Sequence, residues 1–174
     1  MIPSLIATLF FFPLAKKKKA PPPSGVKLPK AKTAFCVFTK LVYFPAVALS
    51  FFIPLRLGMI WFYVGLPITL IGLVTFIMVL VDWVRTPPGE LVTRGIYRYS
   101  RHPMYVTNSL FLLGVSIASA SWIFLLFPII ITVGAVVFID IEEQQCLEHH
   151  GDAYREYVKR TPRWLGIPKS EKID

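Results

Sequence analysis

The stretch MYVTNSLFLLGVSIASASWIFLLFPIIITVGAVVFI, residues 104–139, carries no Asp, Glu, Lys or Arg. As one helix it would extend roughly 54 Å at ~1.5 Å per residue, nearly twice the ~30 Å hydrocarbon core of a bilayer. Near its midpoint lies Ser116-Ile117-Ala118-Ser119-Ala120-Ser121, a set of small residues suited to a turn. The run therefore predicts a tight hairpin of two spans, each barely long enough to cross. Such a hairpin returns residue 140 to the face from which residue 102 departs. It brings Arg101-His102-Pro103-Met104-Tyr105 and Asp140-Ile141-Glu142-Glu143 to one membrane edge.

Working outward, a second charge-free run covers 57–81. Of the 174 residues, 55% are hydrophobic and 17% charged, against about 25% charged in a soluble domain. Helices are expected over 34–55, with Lys40 near its end, and over 58–82, where Thr86-Pro87-Pro88-Gly89 prevents continuation. The fold class is thus all-α: a polytopic integral membrane protein with four long transmembrane helices. Residues 2–15 are apolar but short and interrupted by Pro13, which favours an interfacial helix over a short fifth span. Residues 1–33 form this apolar segment and a basic, Pro-rich linker, and 34–174 form one membrane domain. Beyond residue 143 the chain predicts a helical tail over 144–160. Gly151 breaks it, Asp152 caps its second part, and Tyr154, Tyr157 and Val158 give that part an apolar side facing the membrane.

The net charge is +9, and its placement matters more than its size. Basic residues cluster before the first long apolar segment (the lysine run 16–19, Lys27, Lys30, Lys32, Lys40). They cluster again at Arg85, Arg94, Arg98 and Arg101, and after the last span from Arg155 to Lys172. Arg56 alone falls in the remaining connection. By the positive-inside rule the clusters are cytoplasmic and Arg56 lies opposite. Topology and membrane lipids account for the charge, so no nucleic-acid partner is invoked. Cys36 and Cys146 make no disulfide framework. Cys146, His149 and His150 lie at i, i+3 and i+4, but no further ligand pair matches them, so no metal site is expected.

The chemistry-bearing residues gather at the hairpin mouth. Pro103 suits a first helical position, where its missing N–H matters least. The helix start with Arg101 beside it could hold a carboxylate or phosphate, while His102 taken alone suits an interfacial histidine better than a catalyst. Tyr97, Tyr99 and Tyr105 could be interface aromatics, or could stack on a purine or face a sulfonium. Glu142 and Glu143 could hold an ammonium group and ribose hydroxyls, or pair with Arg98 or Arg101. Asp82, at the end of an apolar helix, is a weaker candidate.

The order Gly95-Ile96-Tyr97-Arg98-Tyr99-Ser100-Arg101-His102-Pro103-Met104-Tyr105, followed by Glu142-Glu143, Leu147, Gly151-Asp152-Ala153-Tyr154, Tyr157 and Pro162-Arg163, resembles the isoprenylcysteine carboxyl methyltransferase family. The phospholipid N-methyltransferases share a related arrangement. The resemblance covers about residues 86–168. It implies a membrane enzyme that binds S-adenosylmethionine at the cytoplasmic face and takes a lipophilic acceptor from the bilayer. Its membrane would be the plasma membrane in a prokaryote and the endoplasmic reticulum in a eukaryote. Tyr97, Arg101, His102, Pro103 and Tyr105 would hold one side of the cofactor, and Glu142 and Glu143 the other. A prenylcysteine carboxylate, the acceptor this implies, needs no base, and Arg163 would steer it. A lipid-amine or small-thiol acceptor would need Glu143 or His102 to take a proton. Readings of a different class are a sterol-type membrane reductase or a non-catalytic interaction protein.

Overall fold

The structure, a computed structural model, describes residues 58–168 together with 41, 42, 45, 48, 49 and 52. Segment 1–33 lies outside the described residues, as does most of the helix expected over 34–55. The described residues contain helices and no strand. In chain order they are α1 (Ile60–Arg85), a 3₁₀ turn (Gly95–Arg98), α2 (Pro103–Ala118), α3 (Trp122–His150) and α4 (Asp152–Arg160). By length and apolar composition α1 and α3 can each cross a membrane, while α2 is a shorter apolar helix.

The chain divides into two compact units. Among the described residues one unit holds 41, 42, 45, 48, 49, 52, 58–76 and 105–139, and the other holds 77–104 and 140–168. In the first, α1 and α2 approach so closely that glycine is required. A Cβ on Gly65 would meet the backbone of Ala118 and Gly114, and one on Gly72 the backbone of Phe111. On α2, a Cβ on Gly114 would meet Thr69. As the α1 position rises its α2 partner falls, so the two helices run antiparallel. Small residues are what allow backbones to pack this tightly where no water drives association. Between α2 and α3, the Ser109 and Thr132 hydroxyls hydrogen-bond at 3.0 Å.

The charge-free run does fold as a helical hairpin, with its break at 119–121. The turn is built by hydrogen bonds rather than by smallness alone. Ser121 N–H donates to the Ser116 carbonyl at 3.1 Å and Ala120 N–H to that of Ile117 at 2.9 Å. This is the paired closure of a Schellman motif. Ala120 occupies its left-handed position with φ 50°. Ser121 Oγ then accepts from Phe124 N–H at 3.2 Å, capping α3.

Two expectations for the tail need correction. No new element begins near residue 144: α3 continues unbroken to His150, because nothing in IEEQQCLEHH opposes a helix where the sequence turns polar. It ends at Gly151, whose φ of 53° lies in the region glycine tolerates best. Asp152 is not the cap of α4 but its first helical residue. Gly151 stands at the cap with no side-chain bond, and the Asp152 carboxylate accepts instead from Arg155 Nη1 at 3.0 Å.

Candidate active site

The second unit carries the polar cluster, and its framework starts at Asp82 in the last turn of α1. The Asp82 carboxylate accepts from Ile96 N–H at 3.1 Å, anchoring the 3₁₀ turn to the helix end. Gly95 at φ 61° leaves room for that carboxylate, which a Cβ would strike. Asp82 thus anchors the backbone that leads into the polar cluster.

Residues 97–102 are then clamped from α4 and the strap that follows it. Tyr157 Oη donates to the Tyr97 carbonyl at 2.7 Å. Arg101 N–H donates to the Pro162 carbonyl and Gly166 N–H to that of Tyr99, both at 3.0 Å. Ser100, fully buried, accepts His102 N–H at its hydroxyl at 3.1 Å. Tyr154 and Tyr157 are 5% and 7% exposed: they pack within the protein rather than facing the membrane, and only Val158 of the expected apolar side is exposed.

Within this frame the charges converge on Glu143. Its Oε1 lies 3.0 Å from Arg101 Nη1 and 3.2 Å from His102 Nε2. Arg163 grips both oxygens, with Nε 3.2 Å from Oε1 and Nη2 2.6 Å from Oε2. Arg163 Nη1 also reaches Asp140 at 3.0 Å. His102 Nδ1 faces Glu142 Oε2 at 3.5 Å. Burial pulls the His102 imidazole toward its neutral form, but hydrogen bonds to Glu142 and then Glu143 outweigh it and hold its pKa above the ordinary value. A carboxylate only accepts, so a carboxylate at each ring nitrogen favours the protonated form of His102. Arg101 Nε is buried with no hydrogen-bond partner, a donor that a bound anionic group could satisfy.

The structure thus brings together Arg101, His102, Glu142, Glu143 and Arg163. The ion pair expected as an alternative for the glutamates is present with Arg101. Tyr97 is buried beside the cluster's frame, and burial raises its phenol pKa far above the ordinary value. Pro103 opens α2, as its fixed φ favours. Tyr105 is buried but belongs to the other unit. Tyr99 is half exposed. Asp140, expected at this edge, joins the cluster through Arg163, whereas no role in it was expected of Ser100 or Tyr157. Only the spacing of Tyr154 and Tyr157 on an otherwise charged helix signals a buried face. Among the described residues no group of three or more His, Cys, Asp or Glu could hold a metal ion, and the His149 and His150 rings pack edge to face at 4.7 Å.

Residues 53–153 match the family model described as phospholipid methyltransferase. A curated protein of Schizosaccharomyces pombe named Protein-S-isoprenylcysteine O-methyltransferase is 37% identical over 79 residues, which are 45% of this chain and 33% of that one. The chain thus aligns with about a third of that relative's length.

Proposed function

Because this chain belongs to the phospholipid methyltransferase family, we propose that it is an integral-membrane, S-adenosylmethionine-dependent methyltransferase acting on a lipophilic carboxylate of the prenylcysteine type. The observation that carries the choice of acceptor is His102 set between Glu142 and Glu143. A ring with a carboxylate at each nitrogen is biased to keep its protons rather than take another, and the Glu143 carboxylate is already shared among the Arg101, His102 and Arg163 side chains. An amine or thiol would have to lose a proton to a group already engaged in this network of ion pairs. A carboxylate is a nucleophile as it stands. The name of the yeast relative agrees with this reading.

The donor, when bound, supplies an electrophilic methyl group on a sulfonium. Arg101, through its unpaired Nε, would hold the donor's carboxylate, and Glu142 would face its ammonium, with Tyr97, His102, Pro103 and Tyr105 as the further residues the family pattern assigns to it. Glu143 orients Arg101, His102 and Arg163, and Arg163, 41% exposed at its side chain, would receive the acceptor carboxylate. Transfer then depends on alignment and on exclusion of water more than on acid–base work. In this reading four helices span the bilayer, and residues 86–102 with the C-terminal helix lie on the cytoplasmic side. The acceptor reaches the site from the bilayer.

The test supplies the purified protein, in lipid nanodiscs, with methyl-labelled donor and one of three acceptors: a farnesylated N-acetylcysteine, phosphatidylethanolamine or an alkyl thiol. Base-labile label on the first alone is expected. Label on the amine or thiol alone would overturn the assignment of acceptor.

A further inference from the structure

The strap after α4 carries a feature that the methyltransferase reading does not use. Leu165 is 71% exposed and Ile167 89%, with Trp164 and the neighbouring Tyr99 partly exposed beside them. On α1 and α3 exposed apolar side chains have acyl chains to face. The strap lies outside every helix, so its apolar side chains need another explanation. A chance exposure on a loose tail does not fit, because both ends of the strap are pinned. Pro162 accepts from Arg101 N–H, and Gly166 donates to Tyr99.

The same bonds fix its depth. Asp82, in the last turn of α1, holds Ile96, three residues further on Tyr99 holds Gly166, and the strap therefore sits at the level where α1 ends. That is the headgroup region if α1 spans the membrane. The adjoining helix α4 presents Arg155, Lys159 and Arg160 at its surface, with Asp152 and Glu156 paired to them, so basic groups outnumber acidic ones there. Aromatic and aliphatic tips beside a surface with a slight excess of basic groups match a lipid interface.

We propose that residues 164–167 are a membrane-docking loop that inserts Leu165 and Ile167 into the headgroup–acyl boundary of the leaflet where α1 ends. Arg163 immediately precedes the loop and grips Glu143, so docking also holds this partly exposed member of the charge cluster in place. The inference concerns the membrane surface and is independent of which methyl donor or acceptor the cluster takes.

The experiment uses the full chain in nanodiscs of phosphatidylcholine and phosphatidylglycerol whose lipids carry a photoreactive diazirine near the carbonyl end of the acyl chain. Adducts are mapped by mass spectrometry, with exposed α1 residues such as Met78 as the internal control. Adducts on 164–167 are expected alongside those on α1. They should be lost in Leu165→Asp/Ile167→Asp, whose exposed substitutions leave the melting temperature in detergent unchanged. Labelling of α1 with none on 164–167 would overturn the proposal. Hydroxyl-radical oxidation of the same samples would then show whether water or another segment of the chain covers the loop. Adducts that persist in the double variant would likewise overturn insertion by these two side chains.

Discussion

Glu143 faces two guanidinium groups and the His102 ring at once, and Arg101 and Glu143 are only 11% and 15% exposed at their side chains. Glu143→Gln keeps the size but leaves Arg101 buried opposite a neutral amide. Breaking a buried pair from one side costs about 3 kcal/mol, so a clearly lowered melting temperature is expected in ligand-free protein. Tyr157→Phe removes the buried hydroxyl that holds the Tyr97 carbonyl and should cost about 1–3 kcal/mol, measured in the same melts. His102 supplies a pH dependence. Its folded pKa lies above the ordinary 6.5, so its contribution is complete below that pH and is lost as pH rises through the folded value. Melting temperatures recorded from neutral to alkaline pH should fall in the wild type. The fall should be shallower in His102→Gln, and an equal slope in both would remove His102 from the cluster.

The elements show which parts of this arrangement are legible in sequence. The length of the charge-free run requires a hairpin, and that alone predicts Arg101-His102 meeting Glu142-Glu143. Helix starts were legible where backbone chemistry dictates them, as at Pro103. The limit of α3 was not, because a helix has no physical reason to stop where its residues become polar. The clamps were hidden for a different reason. Tyr157 and Tyr97 are 60 residues apart, and no local pattern marks a tyrosine that will hydrogen-bond a distant carbonyl. The turn offers its own test. Ala120 sits in the left-handed region at φ 50°, at a cost of roughly 1–2 kcal/mol, while glycine loosens the unfolded chain by about 0.4–1 kcal/mol. Ala120→Gly should therefore stabilise the protein by about 0.5–1 kcal/mol. A lower melting temperature in this variant would contradict the turn geometry.

For the whole molecule, the asymmetry of basic residues predicts residue 90 on the cytoplasmic side and Ser119 opposite. Cysteines introduced at these positions in sealed vesicles should react with a membrane-impermeant reagent from opposite sides, and labelling of position 90 from outside would invert the topology. The central claim is that Arg101, His102, Glu142 and Glu143 form a site for S-adenosylmethionine, with Arg163 beside it for the acceptor. Calorimetric titration of the purified protein with S-adenosylmethionine tests it most directly, with Arg101→Gln and Glu142→Gln alongside. Saturable binding to the wild type is predicted, weakened about 10- to 150-fold in each variant, the equivalent of losing one charge-assisted hydrogen bond of about 1.5–3 kcal/mol. Wild-type protein that is folded yet binds no S-adenosylmethionine, or variants that bind it as tightly as the wild type, would contradict the account.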